Sequence, residues 1–410
     1  MVRPTIVANS LVANTRPAKL CSELYHSHEG VQTRNENMQK KTADQRANWT
    51  RRYIQGLFAI VLATASSQIL AAELGNVKLI AAPEGGFPIV ARLDGAGAIH
   101  LLLDFPDGPK YGKSMDNGRT FSKLIRVVDD ASRAPGLEFM SWDLAVTKSG
   151  QVHVALGTNA WKLKLPKEEW GFFHAVLDVN AGQFTALHNI NRKPSEGFSL
   201  AADDHGRVAA CWLSDKLFVN LSKDSGKSFG DSIEIDKNFD PCNCCTTSSA
   251  YGADGRLAIL YREESGNERD MYVVVWDQER NRASRNRISQ IRWKIETCPM
   301  TYYSITAVGD GYLAVWPTNG KIYFSHLNAE GALVNAHETE TEGRNGMRSG
   351  MIALSGHDNS TLIAWNREGQ LGWQRFDTTG GPLGTAGVTQ TDGKGAAGVV
   401  TAKGEFLLFR

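Results

Sequence analysis

Two eight-residue stretches decide the fold: Ser114-Met115-Asp116-Asn117-Gly118-Arg119-Thr120-Phe121 and Ser222-Lys223-Asp224-Ser225-Gly226-Lys227-Ser228-Phe229. They share the pattern Ser-x-Asp-x-Gly-x-Thr/Ser-Phe and lie at equivalent places in a longer repeat. In such a turn the aspartate accepts backbone N–H groups, the glycine adopts a positive φ, and the aromatic ring packs between strands. We therefore predict a structural role in the turns for Asp116, Gly118, Asp224 and Gly226.

A unit of about 50 residues recurs along the chain beyond residue 75. In each unit a strand ends in a turn, usually with glycine, and a strongly apolar strand follows. The hairpins are Ile89–Leu103, Leu144–Leu156, Leu200–Leu213, Ala250–Tyr261, Ile305–Val315, Ile352–Trp365 and Val399–Phe409. Successive turns are 45 to 56 residues apart, and no convincing amphipathic helix separates the hairpins.

Self-similarity at this period with short strands is typical of a β-propeller, in which each repeat forms one blade. We predict an all-β protein, a β-propeller of four-stranded blades with seven blades favoured over six, in a single domain at residues 75–410. The seventh hairpin reaches the end of the sequence after two strands. Val77–Ala82 could supply a further strand to that blade, which would remove an open sheet edge.

The composition is that of an ordinary globular protein. The 410 residues include 45 Lys+Arg and 44 Asp+Glu, a formal net charge of +1, and 42% hydrophobic residues. This balance lacks the basic surplus of nucleic-acid-binding proteins, so no nucleic-acid partner is expected. With 40 Gly, 13 Pro and 6 Cys, the composition excludes collagen, low-complexity disorder and a small disulfide scaffold.

The first 72 residues are interpreted as a leader. Residues 1–50 are polar, lack apolar periodicity and are expected to be disordered, and Met38 is an alternative translation start. Residues 51–72 combine an arginine pair, the apolar run Leu57–Ala63 and small residues, which is typical of a secretory signal peptide. We expect a periplasmic or secreted protein, exported by the Sec route in preference to the twin-arginine route, with no stable membrane span after cleavage.

The two turn motifs resemble those of Asp-box (bacterial neuraminidase repeat) proteins of the sialidase-like propeller superfamily. The resemblance implies exo-alpha-sialidase chemistry, in which arginines bind a carboxylate and a tyrosine nucleophile has a glutamate partner. Members typically carry Phe/Tyr-Arg-Ile-Pro on the first inner strand. Here that stretch is Phe87-Pro88-Ile89-Val90, with Pro88 in the arginine position and Arg92 four residues on. The catalytic candidates are Arg262, Glu263 and Tyr302.

Four of the six cysteines are concentrated just before two consecutive inner strands. Cys242, Cys244 and Cys245 precede one strand, and Cys298 precedes the next. Because neighbouring inner strands of a propeller start at the same mouth of the central channel, the repeat brings Cys298 near the other three.

A predicted secreted subset of Asp-box proteins is similar to this region. It carries an Asp-Pro-Cys-x-Cys-Cys stretch, a Tyr-Arg pair, an Arg-Asp-Met/Ile-Tyr run and a later Cys-Pro. The matching residues here are Asp240–Cys245, Tyr261-Arg262, Arg269–Tyr272 and Cys298-Pro299. The resemblance implies a subfamily and not a reaction.

Three interpretations of the four cysteines stay open. Paired disulfides are favoured in an oxidising compartment. A thiolate site for Cu(I) or Zn(II), in which Met300 could join, is the second, and a redox-active disulfide is the third. Elsewhere, Cys211, His100 and His153 lie in apolar strands and are interpreted as core residues.

The first functional hypothesis is a sialidase-like binding protein that takes a small anionic or glycan ligand at the channel mouth through Arg262, Arg269 and Tyr302. The alternatives are an exo-alpha-sialidase and a periplasmic Cys-rich metal (copper or zinc) or redox protein. Arg262 and Asp270 are predicted to form a buried ion pair that braces the loop. The protein is expected to be a monomer.

Overall fold

The computed structural model describes residues 77–129, 135–238, 240–342, 350–393 and 395–410. The predicted leader, the alternative start at Met38 and the predicted signal peptide lie outside these residues. The described residues belong to one compact unit, Ala63–Arg410. No helix within them has the length and apolar character needed to cross a membrane.

The described residues form seven sheets, one for each predicted repeat, which we number as blades 1 to 7. Strand β1 (Val77–Ile80) belongs to the last blade. Blade 1 consists of β2 (Phe87–Leu93), β3 (Ile99–Asp104), β4 (Lys110–Ser114) and β5 (Ile125–Arg126). Blade 2 consists of β6 (Phe139–Val146), β7 (Val152–Thr158), β8 (Phe173–Asp178), β9 (Gln183–Phe184) and β10 (His188–Asn189). Blade 3 consists of β11 (Glu196–Ala202), β12 (Val208–Ser214), β13 (Lys216–Ser222) and β14 (Ile233–Glu234).

The remaining four blades continue the pattern. Blade 4 consists of β15 (Thr247–Tyr251), β16 (Leu257–Arg262), β17 (Met271–Asp277) and β18 (Arg282–Arg287), and blade 5 of β19 (Ser304–Val308), β20 (Gly311–Thr318), β21 (Lys321–Leu327) and β22 (His337–Glu342). Blade 6 consists of β23 (Met351–Ser355), β24 (Thr361–Arg367), β25 (Gln370–Phe376) and β26 (Pro382–Gln390). Blade 7 consists of β27 (Ala397–Val400) and β28 (Phe406–Phe409) with β1. Two short 3-10 helices span Pro83–Gly85 and Lys167–Glu169.

The prediction of an all-β, seven-bladed propeller is confirmed. The first strands of neighbouring blades contact one another around a ring, and this ring includes the contact between β2 and β27. Two blades depart from four strands within the described residues, because β9 and β10 both pair with β8 in blade 2 and blade 7 has three strands.

The two ends of the propeller meet in blade 7. Strand β1 pairs with β28 in parallel, with Val77 opposite Phe406 and Ile80 opposite Phe409. Two further backbone bonds extend this pairing, from Ala82 N–H to Arg410 O at 2.8 Å and from Arg410 N–H to Ile80 O at 3.0 Å. The strand predicted within Val77–Ala82 is therefore present, and it closes the ring by covering a sheet edge.

The second strand of each hairpin is buried on both faces because it lies between two neighbouring blades. In β16, Ile259 packs into the core shared with blade 3, where it meets Cys211. On the opposite face, Leu260 packs into the core shared with blade 5, which contains Trp316. Side chains alternate between the two faces of a strand, so a strand with no polar face is required here.

The two motifs Ser114–Phe121 and Ser222–Phe229 form closely similar turns. The Asp116 carboxylate accepts hydrogen bonds from Thr120 N–H at 2.9 Å and from the Thr120 hydroxyl at 2.6 Å. These bonds lower the pKa of Asp116 to about 2. The Asp224 carboxylate bonds Ser228 in the same way, so both turns are held by their own aspartate.

Each turn also packs against the preceding blade. Gly226 has φ +79°, and a Cβ atom placed on it would lie 2.7 Å from His174 Cε1 and 3.1 Å from His153 Nδ1. The glycine is therefore needed both for its backbone conformation and for close packing on blade 2.

We predict that Gly226→Ala lowers the free energy of unfolding by about 1 to 3 kcal/mol more than Gly182→Ala, because only the first variant adds a clash. Gly182 is a matched control, since its φ is +65° and a Cβ there would meet no atom within 4 Å. Urea denaturation followed by fluorescence measures both. Equal losses would show that the contact with blade 2 is unimportant.

The imidazoles of blade 2 under this turn are buried, and no carboxylate among the described residues pairs with them. His153 Nδ1 lies 3.2 Å from His174 Nε2, and the rings stack with centroids 5.4 Å apart. Burial lowers the pKa of His153 to about 4 and also lowers the pKa of His174. Both His153 and His100 are fully buried, which agrees with their interpretation as core residues.

We predict that stability falls as the pH is lowered from about 6.5 to about 4, because the unfolded chain binds a proton at His153 that the folded protein excludes. The slope for one such group approaches about 1.4 kcal/mol per pH unit. Thermal unfolding at pH 7, 6 and 5 should show a smaller loss for His153→Gln than for the control His205→Gln, whose side chain is exposed. Parallel profiles would rule out this contribution.

Candidate functional site

A cavity of about 660 Å³ runs along the axis of the ring. The first strand of every blade contributes to its lining, from β2 in blade 1 to β27 in blade 7. The starts of these strands surround one mouth, where Tyr302 and Trp142 line the wall. The predicted channel is therefore present, and Tyr302 faces it as the first hypothesis requires.

The cavity wall carries more carboxylate than guanidinium. Arg92 is the one arginine among the described lining residues, and its Nη2 lies 3.1 Å from Asp143 Oδ1. Asp143 also accepts the Leu200 N–H at 2.9 Å, while burial raises the pKa of its carboxyl. Asp104 and Asp392 line the same cavity. This wall lacks the cluster of unpaired arginines that binding of a substrate carboxylate requires.

Aromatic rings form a platform near that mouth. The rings of Trp142 and Tyr302 stack with centroids 6.1 Å apart and planes 20° from parallel. Phe198 packs edge-on against Trp142, with a centroid distance of 5.2 Å. All three residues line the cavity, so it offers a flat apolar surface of the kind that stacks on a ring-shaped ligand.

The four clustered cysteines are brought together beside the start of blades 4 and 5. Cys244 and Cys298 are joined as a disulfide. The Cys298 sulfur lies 3.4 Å from Cys242 Sγ, which in turn lies 3.2 Å from Cys245 Sγ. The predicted constellation is therefore present as one chain of sulfur contacts. Cys211 lies apart as a buried free cysteine, as predicted.

Local backbone bonds hold the cysteine loop in place. The Cys242 N–H donates to Arg262 O at 2.8 Å, and the Cys245 N–H donates to Cys242 O at 2.9 Å. After Cys298, the Tyr303 hydroxyl accepts a hydrogen bond from the Arg262 N–H at 3.1 Å and donates to Thr246 O. Both cysteine segments are therefore tied to β16, and this fixes where the sulfurs meet.

The four cysteines differ in exposure. Cys242 and Cys245 are each 1% exposed, whereas Cys244 and Cys298 are partly exposed. The disulfide thus lies on the outer side of the cluster, and the two free thiols lie beneath it.

Arg262 is fully buried beside this cluster and does not line the cavity. Its guanidinium donates to Arg269 O at 2.6 Å and to Pro317 O at 2.5 Å, and it lies 4.9 Å from the Trp293 ring centre. The Arg262 Nε–H has no partner within the described residues.

The predicted ion pair between Arg262 and Asp270 is wrong. Arg287 pairs with Asp270 at 2.7 Å, and Arg285 pairs with Glu263 at 2.6 Å. The outer strand β18 thus supplies the cations for both carboxylates, because its side chains reach across the face of the sheet. Within the described ranges, no carboxylate forms an ion pair with Arg262.

Arg269 faces the sulfurs directly. Its Nη1 lies 3.1 Å from Cys242 Sγ, and its Nε donates to Ile295 O at 3.3 Å. Like Arg262, it is absent from the cavity wall. The structure therefore brings the predicted ligand-binding arginines to the cysteines and leaves Tyr302 at the channel. Glu263, the proposed partner of a tyrosine nucleophile, is also outside the cavity lining.

The electrostatics of the buried pair follow from these contacts. Burial alone would raise the pKa of the Cys245 thiol, but its hydrogen bond with Cys242 and the Arg262 charge lower that pKa to about 6. The same hydrogen bond, with burial, raises the pKa of Cys242. Arg262 and Arg269 therefore favour the thiolate at Cys245, while the hydrogen bond between the two sulfurs favours the neutral thiol at Cys242.

Three features of the site were not predicted from the sequence. Glu196 lies near Cys245, and burial raises its pKa to about 7. Gly197 approaches the Cys245 carbonyl so closely that a Cβ would lie 2.7 Å from that oxygen. Trp142 and Phe198 form the platform. Trp142, an aromatic residue in the first half of β6, is the sequence signal that could have predicted the platform.

No protein-family model matches the chain, and no curated protein matches it in sequence. Similar solved structures include an ulvan lyase of a new polysaccharide lyase family, at 10% identity and TM-score 0.45 over 77% of this chain and 88% of that chain. A variant of the NanB sialidase of Streptococcus pneumoniae matches at 11% identity and TM-score 0.44, over 68% and 64%. The Dos1 propeller matches at 11% and 0.45, over 78% of both chains. Identities this low leave the chemistry of the site to this chain's own residues.

We predict that residues 77–410 contain three alkylatable thiols when unfolded without reductant, from Cys211, Cys242 and Cys245, and five after reduction. In the folded protein these three thiols should react slowly, because each is at most 1% exposed. Mass spectrometry after iodoacetamide treatment measures all three conditions. Five free thiols before reduction would contradict the disulfide, and Cys242 modified as fast as a free thiol would contradict its burial.

Proposed function

We propose that this protein binds a soft metal ion, Cu(I) or Zn(II), through Cys242, Cys244, Cys245 and Cys298. The observation that carries the proposal is a chain of four neighbouring sulfurs, one of which lies 3.1 Å from the Arg269 guanidinium, with the buried Arg262 in the same region. Neither arginine has a carboxylate partner in the described structure. This is the third of the functions suggested by the sequence. The geometry favours it over the other two.

The charge of the arginines supports an anionic centre. Arginine stays protonated in proteins, and a buried charge without a counter-ion is costly. Backbone carbonyls solvate Arg262 in part, but they carry no net charge. The sulfurs of the cluster are suited to supply this charge, because Cys242 Sγ lies 3.1 Å from Arg269 Nη1 and the Arg262 charge lowers the pKa of Cys245.

The ligand chemistry supports a soft ion. Thiolates select Cu(I) and Zn(II) over hard cations such as Mg²⁺ and Ca²⁺, which prefer oxygen. Cys242, Cys245 and Cys298 have sulfurs that all lie within 4.8 Å of one another. Four thiolates at about 2.3 Å from an ion form a closed structural site. A disulfide in the cluster also supports the proposal that the protein works in an oxidising compartment, periplasmic or extracellular.

The exo-alpha-sialidase alternative has less support. A carboxylated sugar requires free cationic groups in the cavity, but Arg92 is already paired with Asp143. Arg262 and Arg269 lie outside the cavity lining, and Glu263 is bound by Arg285. For the same reason, an anionic ligand in the channel is disfavoured.

We predict that protein reduced under anaerobic conditions retains Cu(I) or Zn(II) through gel filtration and that Cys242→Ser lowers the bound metal at least tenfold. Elemental analysis by mass spectrometry measures the metal per chain. Cys211→Ser is the matched control, because Cys211 is also buried and free but lies outside the cluster. No metal on the reduced wild-type protein, or the same loss in both variants, would contradict the proposal.

The stacked rings favour a second function, the binding of a neutral sugar or other ring-shaped ligand in the cavity. Trp142 and Tyr302 present a flat surface, and the nearby carboxylates can accept hydroxyl hydrogen bonds. This is the glycan part of the first hypothesis without its anionic part.

We predict that Trp142→Ala weakens the binding of any neutral oligosaccharide found on a glycan array at least tenfold, because a stacking surface is lost. Trp161→Ala is the control, since Trp161 does not line the cavity. Array signals that survive Trp142→Ala unchanged would place the ligand elsewhere.

A further inference from the structure

The cysteine cluster has two layers with different chemistry. Cys244 and Cys298 are partly exposed and oxidised, while Cys242 and Cys245 are 1% exposed and reduced. The Cys298 sulfur belongs to the outer disulfide and lies 3.4 Å from the inner Cys242 sulfur. A soluble reductant can therefore reach the outer pair, whereas the inner pair is closed to solvent.

The number of available sulfur ligands differs between the two oxidation states. With the disulfide formed, Cys242 and Cys245 are the free thiols of the four clustered cysteines. With the disulfide reduced, Cys298 joins them, and the sulfurs of these three residues lie within 4.8 Å of one another. Cys244 then completes the four sulfurs of a tetrahedral site.

We propose that the Cys244–Cys298 disulfide is a redox-controlled cover of the metal site, so that the protein takes up soft metal ions only after this disulfide is reduced. The inference rests on the proposed metal-binding function and adds its regulation.

The step balances with a dithiol as reductant. One thiolate of the dithiol attacks a sulfur of the disulfide, forming a mixed disulfide and releasing the other cysteine as a thiolate. The second thiol of the dithiol then attacks the mixed disulfide, which forms a cyclic disulfide in the reductant and releases the second cysteine. Two electrons pass from the dithiol to Cys244 and Cys298, and the incoming metal displaces the protons that remain on the four sulfurs.

Arg262 and Arg269 lower the electrostatic cost of burying thiolates in the reduced state. Arg269 donates to Cys242 at 3.1 Å, and Arg262 lies among carbonyl oxygens that keep its position fixed. Both arginines stay protonated before and after reduction. Neither pairs with a carboxylate in the described residues. The cluster can therefore change its charge without moving a cation.

The test compares two samples of the full chain, one oxidised and one treated with dithiothreitol and desalted without oxygen. Each is titrated with Zn(II) against a chromophoric chelator and with Cu(I) against bathocuproine disulfonate. We expect at least one metal ion per chain in the reduced sample and less than a tenth of that in the oxidised sample. Reoxidation of the loaded protein should release the metal.

Variants separate the cover from the site. Cys244→Ser cannot form the disulfide but keeps the three sulfurs that lie within 4.8 Å of one another, so it should bind metal in both samples. The double variant Cys244→Ser with Cys298→Ser should also lose the difference between the two samples, and it should bind less metal because two ligands are missing. Cys211→Ser should keep the difference. Circular dichroism verifies that each variant is folded.

The possible outcomes distinguish the two proposals. Equal metal binding by oxidised and reduced wild-type protein would overturn the redox-controlled cover and leave the metal function intact. No metal on either sample would overturn both. A reduced sample that alone binds metal, with a double variant insensitive to oxidation, would support the cover.

Discussion

The parallel pairing of β1 with β28 is the interaction on which the rest of this structure depends. It joins the beginning and the end of the propeller in one blade, so that the contact between β2 and β27 completes the ring of inner strands. In a closed ring the inner strands share one axis, and their starts surround one mouth. The loops before neighbouring blades are therefore held side by side, and this is why residues 242 and 298 can meet.

The site that results places arginine side chains beside buried cysteine sulfurs. Its cations are guanidiniums, which stay charged when buried, and its anions are sulfurs, whose charge depends on oxidation and on metal. The nearby carboxylates of Glu263 and Asp270 are bound by Arg285 and Arg287. With these carboxylates occupied, Arg269 donates to the Cys242 sulfur and Arg262 donates to backbone carbonyls.

The sequence predicted most of the fold because the fold repeats. Seven apolar hairpins at similar spacing could be counted directly, and the closing strand could be placed within Val77–Ala82. The strand counts of blades 2 and 7 could not be predicted in this way, because short outer strands such as Gln183–Phe184 have no hydrophobic pattern of their own. The pairing of Arg262 was also missed, because β18 supplies competing arginines from a distant part of the repeat.

The sequence by itself determined the architecture and the neighbourhood of the four cysteines, because both follow from the period of the repeat. Only the tertiary structure decided how that neighbourhood is arranged: which sulfurs are exposed, which carry the disulfide, and which side of the wall Arg262 and Arg269 face. These choices depend on side-chain direction at a few positions. A shift of one residue along β16 would turn Arg262 to the opposite face of its blade, and a repeat of about 50 residues does not resolve that difference.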